Sequence, residues 1–164
     1  MIRSILYATD LGLFAPYVLQ HALLLARTHG ADLYVLHVVE PLGLFAESVL
    51  QTHLDEATLT DLQANGLDSV MVSIEQRVFE GFCDELRESE EDSLPIRAVR
   101  VLLGDPPQMI LQEAQDLGVE LIVIGSHSQS MGAGSALGRT CMRLLQQARV
   151  PVYLVPIIPE GGGC

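Results

Sequence analysis

One segment near the carboxyl end, Leu121–Pro156 (LIVIGSHSQSMGAGSALGRTCMRLLQQARVPVYLVP), restricts the folds open to this chain more than any other. An apolar strand runs into a glycine turn at Gly125 and then a loop of small residues. A helix opens at Gly138, and a second apolar strand follows Val150-Pro151. Strand, turn, helix and strand in that order place the exposed N–H groups of a helix start above the carboxyl end of a buried parallel strand. The resulting concavity has the size and polarity to take a phosphate.

Upstream, the same alternation repeats. Ile2–Ala8 reads as a first strand, and Thr9-Asp10-Leu11-Gly12 as the turn after it. Tyr17–Arg27 carries Val18, Leu19, Ala22, Leu23, Leu25 and Ala26 on a helical face, with Gly30 as the stop. Ala31–Val39 is apolar at nearly every position, as expected of a strand covered by helices on both sides. Ile96–Leu103 is a third strand in which Arg97 and Arg100 point to opposite faces, an arrangement suited to a sheet edge. Asp105 stands at an N-cap position with Pro106 as the first helical residue. Met109, Ile110, Ala114 and Leu117 form the buried side of that helix, and Gly118 ends it. Val119–Ile124 is the fourth strand, Gly138–Ala148 the last helix and Val150–Pro156 the fifth strand.

Between Leu42 and Leu94 the pattern is looser. From Leu67, the residues Val70, Met71, Ile74, Val78, Phe82 and Leu86 recur at steps of mostly three and four, one stripe of an amphipathic helix. Gly66 either starts that helix or kinks a longer one reaching back towards Leu54. The acidic stretch Asp84–Asp92 reads as a solvated helix end or surface loop. Five strands alternating with helices give an α/β fold with a doubly wound parallel sheet. The expected organisation is one domain over residues 1–158 and a frayed tail over 159–164.

Charge removes several classes of function. The formal charge is −12, and all nine cations are arginines. Such a balance argues against a nucleic-acid partner, which requires a basic face to displace counterions. Without a lysine the chain cannot build a P-loop, a receiver-type phosphotransfer site or a Schiff base. No apolar run approaches the roughly 18 residues of a membrane span, and the amino end lacks the features of a signal peptide. The expectation is therefore a cytosolic protein with reduced thiols at Cys83, Cys141 and Cys164. These cysteines have no metal-ligand spacing, and His21, His29, His37 and His53 form no HxxxH or HExxH pair, so no metal site is expected. There is likewise no GxSxG elbow and no HxGH motif, and no catalytic residue is assigned.

The pieces resemble the universal stress protein family, and the likeness runs along essentially the whole chain. Ile5–Asp10 (ILYATD) is similar to its first strand and acidic turn, with Ala8 where a proline is frequent. Tyr34–Pro41 (YVLHVVEP) and Gly104–Ile110 (GDPPQMI) are similar to its second strand and third crossover. The family fingerprint reads Gly, two residues, Gly, nine residues, Gly, then Ser or Thr. Gly125 and Gly138 match its first and last glycines; Ser128 stands at the middle one and Arg139 at the hydroxyl position. This resemblance implies strand order 3-2-1-4-5 and an adenine nucleotide, ATP or AMP, held rather than turned over. It places adenine at Ala8, Thr9, Asp10 and Val38, ribose near Ile124 and Gly125, and phosphates at Ser128, Gly138, Arg139 and Thr140, with His127 packing nearby. It also implies a homodimer formed through Val150–Val155. The alternative is a nucleotide-free dimer with a degenerate pocket that acts through protein contacts.

Several residues admit two roles on sequence alone. Asp10 either accepts from a ribose hydroxyl or the adenine amine, or holds its own turn. Gly125 supplies a positive φ or allows close approach of a ligand. Ser126 and Ser128 donate to phosphate or satisfy local backbone groups. The Arg139 guanidinium forks onto a phosphate, faces solvent, or reaches an acidic neighbour. His37, within a strand, reads as a hydrogen-bonded core histidine.

Overall fold

The computed structural model describes residues 1–10, 12, 14–40, 57, 72, 73, 76, 77, 80, 81, 84, 94–126 and 138–157. In chain order these form β1 (Ser4–Thr9), α1 (Ala15–His29), β2 (Asp32–Val39), β3 (Ile96–Leu103), α2 (Pro106–Leu117), β4 (Leu121–Gly125), α3 (Arg139–Gln147) and β5 (Val152–Val155). All pairings are parallel, and the five strands lie in the order β3-β2-β1-β4-β5. Fold class and strand order agree with the sequence expectation. Element ends differ from it by at most two residues; α1, for instance, begins at Ala15, because Pro16 in its first turn has no N–H to lose.

Alternation along the strands distributes side chains to two cores. Ile5, Tyr7, Leu33, Val35, Leu121 and Val123 pack with Val18, Leu19, Ala22 and Ala26 of α1 on one face of the sheet. Leu6, Leu36, Ile122 and Ile124 pack with Ile110 and Ala114 of α2 and Cys141 and Leu144 of α3 on the other. The central strands β1 and β4 are buried on both faces, which is why they read as unbroken apolar runs.

Glycine ends two of the helices. Gly30 and Gly118 both adopt φ 63°, ψ 35°, and their N–H groups return to carbonyls of the last turn. A side chain in that left-handed region is strained, so these stops are set by residue type.

At the edge strand β3, Arg97 and Arg100 are both exposed, but the register with β2 shifts at Arg97, so the regular alternation expected between the two does not hold there. Arg100 Nη1 donates to Glu113 Oε2 of α2 at 2.7 Å, which compensates an otherwise buried carboxylate. Among the described positions of the middle stretch, 72, 73, 76, 77, 80, 81 and 84 are helical. Gln76 Nε2 there donates to Glu80 Oε1 at 2.6 Å. The apolar stripe expected over Val70, Met71, Ile74, Val78, Phe82 and Leu86 lies outside the described residues, as do Gly66 and the tail 159–164. Among the described residues no helix is long and apolar enough to cross a membrane.

Candidate functional site

Strand order determines where a cleft can open. The chain leaves β1 towards β2 on one side of the sheet centre, while β4 and β5 continue on the other. The connections therefore diverge above the carboxyl ends of β1 and β4. A cavity of about 460 Å³ lies there, within the roughly 300–1,000 Å³ usual for small-molecule sites. Its wall includes Ala8, Thr9 and Asp10 from the end of β1, Val38 from β2, Ile124 and Gly125 from β4, and Gly138, Arg139 and Thr140 at the start of α3. All nine sequence-derived positions that fall on described residues are thus brought to one cavity. The other two, His127 and Ser128, lie outside the described residues.

The polar end of the cavity is made of backbone. Gly138 precedes α3, its N–H donating to Ser126 O at 2.9 Å, and the first helical bond runs from Met142 N to Gly138 O at 3.0 Å. Helix geometry leaves the N–H groups of Arg139, Thr140 and Cys141 without intrahelical acceptors. Glycine has no side chain with which to cap them, and no side-chain cap bond is made. The three residues that carry these N–H groups, at the positive end of the helix dipole, line the cleft.

Most of the reactive side chains are occupied in building the site. Asp10 Oδ1 accepts the Gly12 N–H at 2.8 Å, so of its two sequence-level roles the turn-holding one is realised. The buried His37 bonds through Nδ1 to Thr9 O at 2.8 Å; a carbonyl only accepts, so Nδ1 carries the proton. This bond joins the ends of β1 and β2 and fits the core-histidine reading. Tyr7 OH donates to Ala15 O at 3.0 Å, linking β1 to the first turn of α1. Burial is the main reason its phenol is held protonated far above its ordinary range; the Asp10 charge adds to this, and a Thr9 hydrogen bond opposes it. Burial also pushes the Cys141 thiol up, which makes it a poor nucleophile near neutral pH. Among the described residues no cluster of His, Cys, Asp or Glu could hold a metal ion.

Ser126 takes the local role that was one of its two readings. Its N–H donates to Val155 O at 2.9 Å, its carbonyl accepts from Gly138, and its Oγ accepts the Ile157 N–H at 2.8 Å. Gly125 is not a positive-φ glycine, which removes one of its two sequence readings. It is there for close approach, though to the protein's own side chains: a Cβ on it would lie 2.8 Å from Ile157 Cδ1 and 3.2 Å from Val18 Cγ2. Ile157 is a cavity residue that sequence reasoning missed. It lies just past the fifth strand and outside every motif.

Asp105 stands where the sequence places it, with Pro106 as the first helical residue. It occupies the N-cap position of α2 but makes no side-chain cap bond. Pro106 and Pro107 fill the first two helical positions and offer no N–H. Its carboxylate meets Arg139 and Arg143 of α3 instead, at 3.7 and 3.4 Å. The double proline after Asp105 was the signal in the sequence.

Comparison with known proteins agrees with this fold. The universal stress protein family model matches residues 1–156. A universal stress protein of Thermus aquaticus is 29% identical over 160 residues, covering 94% of this chain and 99% of that one. The universal stress protein MJ0577 of Methanocaldococcus jannaschii is 23% identical over 158 residues, covering 94% and 95%. The solved structure of MJ0577 superposes with a TM-score of 0.71 at 21% identity, covering 98% of this chain and 99% of that one. A universal stress protein solved in complex with cAMP superposes with a TM-score of 0.56 at 16% identity, covering 94% and 97%.

The packing around Gly125 generates a test. Gly125→Val is expected to displace Ile157, to lower stability in urea by about 1–3 kcal/mol, the usual cost of overpacking, and to narrow the cleft. A variant as stable as the parent would contradict the close contact.

Proposed function

Given that the chain belongs to the universal stress protein family, we propose that it binds an adenine nucleotide, ATP or AMP, in this cleft and works as a cytosolic regulatory homodimer. The observation that carries the reading is the start of α3. Its uncapped N–H groups stand in the wall of a ligand-sized cavity, where an anion's oxygens supply the acceptors they lack. A nucleotide fits this division of the wall, with a flat apolar base against Ala8, Val38 and Ile124 and a charged group at Gly138, Arg139 and Thr140. The cAMP-bound family member supports a nucleotide in place of a smaller anion.

Binding is favoured over catalysis because a base or nucleophile must be free to move a proton or attack. In this cleft Asp10 holds a turn, His37 ties two strands together, and Tyr7 and Cys141 are held protonated by burial. A ligand here is gripped rather than transformed, and its presence is what a partner protein would sense.

The dimer reading rests on β5. It is an edge strand with an open ladder. Tyr153 is exposed on it, in contact with the ring of His21, which itself stacks edge-on with Tyr17 of α1. Met142 and Leu145 of α3 are exposed as well. A second copy pairing along β5 extends the sheet and covers these apolar groups.

Three measurements test these readings. Mass spectrometry of ligand released from the purified protein is expected to detect an adenine nucleotide. Thermal unfolding with added ATP or AMP at 100 times the dissociation constant is expected to show about 2.7 kcal/mol of extra stability. Cooperative unfolding unmoved by millimolar nucleotide would leave a scaffold acting through protein contacts alone. For the dimer, Tyr153→Asp is expected to reduce the mass measured by light scattering from two chains to one; an undiminished dimer would place the interface elsewhere.

A further inference from the structure

We infer that Asp105 is a latch: it holds the Arg139 guanidinium outside the cleft and yields it to the terminal phosphate of a bound nucleotide, so that the site selects phosphomonoester nucleotides over cyclic phosphodiesters. The inference rests on the nucleotide reading of the cleft and names the class of ligand.

An aspartate in front of a helix ordinarily spends its carboxylate on the N–H groups of the second or third helical residue. Pro106 and Pro107 remove the first two donors of α2, and the Asp105 carboxylate makes no cap bond to its own helix, although the Asp105 carbonyl accepts the Met109 N–H at 2.9 Å. Both oxygens turn to α3, Oδ1 lying 3.7 Å from Arg139 Nη2 and Oδ2 lying 3.4 Å from Arg143 Nη1. Of these three residues only Arg139 is part of the cavity wall. Its guanidinium is thus paired with a group that is not part of the wall, while Gly138, Arg139 and Thr140 open α3 within it.

The hold is weak by construction. The Arg139 side chain is 70% exposed and its contact with Asp105 is the longer of the two; exposed pairs of this kind contribute little. When Arg139 leaves, Arg143 remains on Asp105, so the carboxylate keeps a partner. One carboxylate shared by two arginines leaves one positive charge unmatched within that trio, beside a cleft whose wall also carries Asp10 and Glu40. A terminal phosphate near neutral pH carries close to two charges and three outward oxygens, which the planar guanidinium matches with two parallel N–H donors. A cyclic phosphodiester carries one charge and lacks that outward set. The exchange therefore favours the first ligand and gains little from the second.

Calorimetric titration of the full chain with AMP, ATP and cAMP tests the latch, using the parent protein, Arg139→Ser, Arg139→Lys and Asp105→Asn. The parent is expected to bind AMP or ATP about tenfold more tightly than cAMP, the factor that one charge-assisted hydrogen bond of ordinary strength supplies. Arg139→Ser is expected to bring that ratio close to one by weakening AMP and ATP alone, and Arg139→Lys to fall between. Asp105→Asn is expected to tighten AMP and ATP, because the competitor for Arg139 has lost its charge. A purely structural role for either residue would shift all ligands together and leave the ratio unmoved. Equal binding of AMP and cAMP by the parent, an unchanged ratio in Arg139→Ser, or weaker AMP binding in Asp105→Asn overturns the latch while leaving the pocket reading intact. Failure of the parent to bind any of the three overturns both.

Discussion

Ser126 is the residue on which the cleft depends. Its N–H, carbonyl and hydroxyl fasten the end of β4 to β5, to the residue before α3 and to Ile157 beyond β5. Parallel strands end with unpaired backbone groups, and a buried polar group without a partner is costly. Satisfying those groups locally ties the end of β4 to the residue before α3, at the wall of the cleft. Gly125 completes the arrangement by letting Ile157 and Val18 approach the backbone. The concavity is thus an outcome of hydrogen-bond satisfaction at one strand end.

The same economy explains the character of the site. Side chains with acid–base capacity are used to hold the walls: Asp10 within its turn, His37 between two strands, Tyr7 against the first turn of α1. Among the described residues, the rest of the wall combines apolar surface at Ala8, Val38 and Ile124 with the start of α3 at Gly138, Arg139 and Thr140, and with Glu40.

Much of this was legible in the sequence. Apolar runs flanked by Gly30, Gly118 and Gly125 mark where elements stop, because glycine alone relieves the local backbone or packing constraint. The fingerprint glycines bring every described candidate residue to one cavity. Two things were not legible. Whether Asp10, Ser126 or Arg139 serves ligand or scaffold depends on which acceptor or donor lies nearest, and proximity across the fold leaves no periodic trace. Ile157 was missed because its role comes from a contact across the sheet end with a residue that has no side chain. Asp105 stands at the N-cap as the sequence indicates, but its carboxylate goes to Arg139 and Arg143 across the fold.

The central claim is that the amides opening α3 grip the anionic end of a nucleotide. Amide NMR of the isotopically labelled protein during an AMP titration tests it most directly. Saturable shifts of the Arg139, Thr140 and Cys141 N–H signals, moving together with those of Ala8 and Thr9 at a single affinity, are the result this account requires. Saturable binding that leaves those three amides unmoved would contradict it.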